Sequence, residues 1–296
     1  MRILVLGANG QVGHALMQAA WPLSAKVVGL ARPDIDLVRP ETITAAVAGQ
    51  APDLIVNAIA YTAVDKAESD RDTAFLVNRD GPAQLAATCA AHGVPLIHLS
   101  TDYVFDGSKA EPYTEADTVA PINVYGASKQ AGEEAVRQAH RRHLILRTSW
   151  VYAEHGANFV KTMLRLGRER PELKVVADQA GAPTSADDIA AALVRIAGRI
   201  DDSSEVAWGT YHLTGRGETT WFGFAERIFV RLEQEEGRRP VLTPIDSASY
   251  PTPARRPVNS RLDCTRIRTA FDVELPLWHD SLERVLDKLF RRQENT

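Results

Sequence analysis

Arg2-Ile3-Leu4-Val5-Leu6-Gly7-Ala8-Asn9-Gly10-Gln11-Val12-Gly13 decides the fold. The aliphatic run from Ile3 to Leu6 reads as a strand buried on both faces, as strands of a parallel sheet are. It leads straight into glycines spaced G-x-x-G-x-x-G, after which Ala15, Leu16, Ala19 and Ala20 recur at helical spacing. A glycine-rich turn between strand and helix lets backbone N–H groups approach a pyrophosphate at the positive end of the helix. Gly7, Gly10, Gln11, Val12 and Gly13 are therefore the expected cradle of a dinucleotide, although the first gap is one residue longer than in the common fingerprint.

Outward from this turn, strand and helix patterns alternate. Strands are expected at 26–30, 54–57, 95–99 and 144–146, and helices at 40–48, 73–91 and from about Tyr125 to the basic cluster 140–143. That alternation predicts an α/β fold, a doubly wound parallel sheet. Residues 1–150 would form the dinucleotide-binding domain and 151–296 mainly a smaller substrate-binding region. No Gly/Pro/Ser-rich linker separates them, so the second region should be interleaved with returning sheet elements.

Composition narrows the class. The chain has 296 residues, 45% hydrophobic and 24% charged, enough for one large α/β domain and part of another. A net charge of −4 gives no footprint for nucleic acid or an anionic membrane. Cys89 and Cys264 stand far apart, outside any CxxC or His/Cys cluster, so no disulfide framework or zinc site is expected and a cytoplasmic location fits. No run approaches the roughly 20 apolar residues that cross a bilayer.

The second strand should end near the adenine ribose, where an acidic residue favours NAD and an arginine accommodates the 2′-phosphate of NADP. Here it ends in Ala31-Arg32, with Asp34 and Asp36 beyond. NADPH is therefore the expected cofactor, with NADH as the alternative.

The chemistry centres on Tyr125-Gly126-Ala127-Ser128-Lys129. Positions four apart share a helix face, with Cβ atoms about 5 to 6 Å apart. An ammonium about 5 Å from a phenol at an effective dielectric of about 20 is worth roughly 3 kcal/mol, enough to lower the phenol by a little over two pKa units. Lys129 is thus expected to activate Tyr125 as a general acid. Ser100-Thr101-Asp102 and the small, polar Asn57 to Thr62 fall at strand C-terminal ends, where open α/β sheets bind ligands. In the loop 250–260, three prolines flank Arg255 and Arg256, which suit phosphate recognition.

Taken together, Gly7-x-x-Gly10-x-x-Gly13, Asn57-Ala58-x-Ala60, Ser100-Thr101-Asp102 and Tyr125-x-x-x-Lys129 resemble the extended short-chain dehydrogenase/reductases. Ser100 to Phe105, Arg147 to Tyr152, Gly181 to Thr184 and the loop 250–260 resemble, more narrowly, the dTDP-4-dehydrorhamnose reductase family. The resemblance implies reduction of the C4 keto group of a nucleotide-linked sugar. It gives Thr101, Tyr125 and Lys129 catalytic parts, and cofactor contacts to the glycine turn, Arg32, Asp36, Leu37, Ala60, Tyr61, Thr62 and Leu99 as well as to Tyr125 and Lys129. Substrate contacts would come from Thr101, Asp102, Trp150, Asn158, Gln179, Arg255 and Arg256. Dehydratases of this superfamily carry Thr-Asp-Glu where this chain has Thr101-Asp102-Tyr103, so elimination would lack its second carboxyl group. Some relatives are described as magnesium-bridged dimers; Asp187 is a candidate ligand, but Ala15 stands where the first helix would supply another. A homodimer is an expectation, a metal is not. Two alternatives stay open: a reductase or epimerase of a related nucleotide-linked 4-keto-sugar, and a non-catalytic NADP-binding regulatory subunit.

Overall fold

The computed structural model describes residues 1–202 and 205–294, with side chains through 291. The first half alternates as expected. β1 (Arg2–Leu6) leads to α1 (Gln11–Gln18), β2 (Lys26–Leu30) to α2 (Pro40–Gln50), and β3 (Leu54–Asn57) to the short α3 (Val64–Ala67). The expected single helix 73–91 is divided into α4 (Arg71–Phe75), a π-helical turn (Leu76–Asp80) and α5 (Gly81–His92). β4 (Leu96–Thr101) precedes α6 (Val124–Ala139), and β5 (His143–Thr148) follows it.

The second half mixes returning and separate elements. β6 (Val151–Tyr152), α7 (Phe159–Glu169), β7 (Glu172–Val176), β8 (Ala180–Gly181), β9 (Thr184–Ser185), α8 (Ala186–Asp202), β10 (Gly209–His212) and β11 (Thr219–Thr220) come first. α9 (Trp221–Glu236), β12 (Val241–Ile245), α10 (Thr265–Phe271) and α11 (Trp278–Glu294) complete it.

The central sheet has six strands in the order β10-β5-β4-β3-β1-β2, every pair parallel. Chain order reverses between β1 and β3, and the crevice beyond the strand ends at such a switch point is where ligands bind in these folds. One face of the sheet packs on α1, α8 and α10 through Leu16, Ile189, Leu193 and Phe271. The other packs on α2, α5 and α6 through Ile43, Val47, Leu85 and Val136. Both faces are covered, which is why β1 and β3 are apolar almost throughout and β5 is apolar over Leu144–Leu146.

A third core is built by α7, α9 and α11 against β7 and β12, with Tyr152, Phe224, Phe229 and Leu286 fully buried. β10 returns from this half to pair with β5, and α8 lies on α1. Among the described residues no helix is long and apolar enough to cross a membrane.

Candidate active site

The glycine turn is shaped by close approach. Gly7 has φ +86°, in the left-handed region that favours glycine, and a Cβ there would press on Ala58 and Ile59. At Gly13 a Cβ would stand 2.0 Å from the Gly7 carbonyl oxygen. Gly10 caps α1 without a side-chain hydrogen bond, so the first-turn amides of residues 11–13 are left for a ligand. This is a cradle that side chains would fill, next to the positive end of a helix, and it fits a dinucleotide phosphate.

The end of β3 forms the neighbouring wall. Asn78, buried in the π-helical turn, accepts from the N–H of Tyr61 at 2.8 Å and donates to its carbonyl at 3.0 Å and to Ser128 Oγ at 2.9 Å. One amide thereby fixes the Ala60-Tyr61-Thr62 segment against α6. The Tyr61 hydroxyl donates to Asp70, away from the cleft.

On α6, Asn123 caps the helix by accepting from the N–H of Gly126 at 2.7 Å. Gly126 is forced by packing, since a Cβ there would sit 2.1 Å from the carbonyl oxygen of Tyr103. That approach brings half-buried Tyr125 to the end of β4, edge-on to Tyr103 with ring centroids 5.5 Å apart. The Thr101 hydroxyl donates to Asp102 Oδ1 at 2.9 Å, while Asp102 Oδ2 is buried without a partner. Burial pushes the Asp102 carboxyl up to about 6, against hydrogen bonds from Ser260 and Thr101.

The expected Tyr125–Lys129 electrostatic pairing is corrected here. Lys129 is 2% exposed and its Nζ donates to the Leu99 carbonyl at 2.6 Å, with His98 Nε2 at 3.5 Å. The phenol of Tyr125 is raised by burial, eased by contact with Thr101 and raised further by Asp102; Lys129 does not enter. Burial also pushes Lys129 down to about 8, with Glu133 acting in the opposite direction. The two residues do share a helix face, but the long lysine stem carries its charge to the strand end instead of the hydroxyl.

Residue Glu133, one further turn along the same face, is a feature that the sequence reading missed. It takes Arg147 Nε at 2.8 Å and Nη2 at 2.6 Å, and Ser100 Oγ at 2.6 Å, all buried. Burial works against the Glu133 charge, but Arg147 and Ser100 hold it below the usual carboxylate range. The i+4 step from Lys129 was the available signal; the partner on β5 was not.

Trp150 has φ +48° and is clamped. One face stacks on Trp221 with centroids 3.7 Å apart, and a Cβ on Gly181 would reach its ring at 2.5 Å. Gln179, expected at the substrate, instead accepts from Trp221 Nε1 at 3.2 Å and donates to Ser247 at 2.9 Å. Asn158 likewise caps α7 and donates to Gln11 Oε1 at 2.9 Å and to the Ala153 carbonyl at 2.7 Å. His155 donates to the Asn9 carbonyl at 3.1 Å. Both amides are spent on holding the site together, because short polar side chains bond to whatever folds nearest to them.

The arginines also separate. Arg256 is bound through both terminal nitrogens to Asp65, at 3.0 and 2.8 Å, and is not free for a diphosphate. Arg255 is exposed and, among the described residues, has no carboxylate partner; Asn123 holds its carbonyl at 2.7 Å. Arg32 lies at the end of β2 with a 69% exposed side chain, 3.2 Å from Asp36. The Leu37 side chain is buried in the core against Gly81, so only its backbone is left for a ligand. Asp187, considered as a metal ligand, is ion-paired with Lys288 at 2.7 Å.

Comparison with known proteins gives one consistent relation. The family model described as the RmlD substrate binding domain matches residues 1–291. A dTDP-4-dehydrorhamnose reductase of Sinorhizobium fredii is 50% identical over 287 residues, 97% of each chain. The Escherichia coli K12 protein of the same name is 43% identical over 303 aligned positions, 98% of each. A crystal structure of dTDP-4-dehydrorhamnose reductase from Bacillus anthracis in complex with NADP superposes with TM-score 0.89 at 36% identity, covering 97% of this chain and 99% of that one. The chain belongs to the RmlD substrate binding domain family, alongside these reductases.

Proposed function

We infer that the protein is an NADPH-dependent oxidoreductase that reduces the C4 keto group of dTDP-4-dehydro-L-rhamnose to dTDP-L-rhamnose, the final step of dTDP-rhamnose synthesis. The observation that carries the reading is the meeting, at one switch point, of the glycine cradle with Tyr125, Thr101 and the unpartnered carboxylate oxygen of Asp102. The first-turn amides of residues 11–13, the 60–62 segment and Lys129 would hold the dinucleotide, with Arg32 and Asp36 at its adenosine end. When bound, its reduced nicotinamide supplies the hydride that adds to C4.

The chain's own groups handle the proton. Tyr125 delivers its phenolic hydrogen to the carbonyl oxygen as negative charge develops there. Burial raises the phenol, which keeps it protonated until that moment; an alkoxide is a much stronger base than a phenolate, so the transfer still runs downhill. Thr101, turning its one O–H from Asp102 Oδ1, offers it to the same oxygen. Asp102 Oδ2 accepts a hydroxyl of the sugar, and the clamped Trp150 forms a flat wall. Tyr103 stands where elimination would need a second carboxyl group, and reduction is the chemistry left.

A cytoplasmic enzyme belongs to the same proposal and is supported by the unpaired thiols of Cys89 and Cys264. A homodimer does too, to be tested by light scattering. The function is tested by following NADPH absorbance with dTDP-4-dehydro-L-rhamnose and with the UDP and GDP keto-sugars. Oxidation with the first alone is expected; none with any of the three would overturn the reading.

A further inference from the structure

His98 lies on β4 at the floor of the site, fully buried, and the chemistry above leaves it unused. Its neighbours fix its tautomer. The N–H of Ile59 donates to Asn57 Oδ1 at 3.1 Å, so the Asn57 amide turns its Nδ2 toward His98 Nδ1, 3.0 Å away. A ring nitrogen that accepts carries no hydrogen. Burial, then the nearby Lys129 and His143, hold His98 well below the usual imidazole value, so the ring is neutral with its single hydrogen on Nε2.

That nitrogen is 3.5 Å from Lys129 Nζ. An N–H therefore faces the amine, whose own donor goes to the Leu99 carbonyl. A neutral amine has a lone pair to accept it; an ammonium has none.

We propose that His98 is a positioning residue that sets when Lys129 gives up its proton: its Nε2–H, fixed by Asn57, faces the amine and favours its neutral form. This rests on the assignment of Tyr125 and Lys129 to the reaction. The other groups facing Lys129 do not supply that N–H. Tyr125 and Glu133 sit one turn to either side on α6, and the Glu133 charge is taken up by Arg147 on β5, by Ser100 on β4 and by Arg137 on α6. His143 on β5 acts on His98 rather than on the amine.

The test is the alkaline limb of kcat/KM against pH, paired with an NMR titration of ε-13C-labelled lysine in the cofactor-free protein. His98→Leu removes the facing N–H and should move both the limb and the Lys129 titration up by about one pH unit, the scale of one lost polar interaction. His98→Met makes the same test should the leucine variant not fold. Tyr125→Phe is the control. An unmoved or lowered titration in the His98 variants, with Tyr125→Phe inactive, overturns the proposal and leaves the catalytic assignment standing. Full turnover by Tyr125→Phe overturns the assignment itself.

Discussion

Glu133 receives both Nε and Nη2 of Arg147, at 2.8 and 2.6 Å, with neither side chain exposed beyond 4%. This buried fork joins α6 to β5, and through Ser100 it also grips the residue before Thr101. The hydroxyls of Thr101 and Tyr125 are thus set by a common anchor.

Glu133→Ala should be severely destabilising. It leaves a buried guanidinium without its counter-charge, which costs about 3 to 5 kcal/mol. Urea denaturation of the variant against the parent measures this; a loss under about 1 kcal/mol would show that the fork does not hold the helix.

Asp102 gives a pH dependence of defined sign. With burial pushing its carboxyl up to about 6, the group is ionised above that pH and protonated below it. Accordingly, kcat/KM for the sugar should fall as pH drops through about 6. Asp102→Asn should lose that limb and lie about 10- to 100-fold lower above it, the worth of one hydrogen bond to a charged acceptor.

Thr101→Val keeps the shape and removes the hydroxyl. Turnover should fall by about 10² while cofactor affinity stays within about twofold, as for the loss of one donor to a developing oxyanion. Stopped-flow turnover beside fluorescence titration with NADPH would separate the two.

Arg32 is the residue proposed to carry the cofactor preference. Its exposed guanidinium is only loosely tied to Asp36, so it can be recruited by a phosphate. Arg32→Ala should raise KM for NADPH about tenfold and leave KM for NADH unchanged. Equal effects on both would remove the assignment.

Arg255 and Arg256 should respond differently. Arg255→Ala is expected to raise KM for the nucleotide sugar with no change in melting temperature. Arg256→Ala frees the loop from Asp65 and should lower Tm by roughly 2 °C, the effect of about 1 kcal/mol in a chain of this size.

What the sequence disclosed was local. The glycine turn, the strand ends at Asn57 and Thr101, and the shared helix face of Tyr125 and Lys129 are set by neighbours a few residues away; the electrostatic pairing expected of the last two is not. The π-helical turn at Leu76–Asp80 was not legible, because its helical spacing looks continuous and the partners of its Asn78, Tyr61 and Ser128, lie far along the chain. The same holds for side chains with a choice of partner. Lys129 turns to Leu99, Asn158 to Gln11 and Arg256 to Asp65, choices settled by segments that meet only in the folded chain. Residue type announced a polar group at each place, and tertiary structure decided whether it was available.

The bonds from His155 and Asn158 to the glycine turn bear on how ligands are received. The segment that starts the second half of the chain already rests on the nucleotide cradle, so the entropy of bringing the two together is lost during folding rather than on binding. Contacts made by the sugar nucleotide can then go toward affinity and discrimination instead of drawing the walls of an open cleft inward.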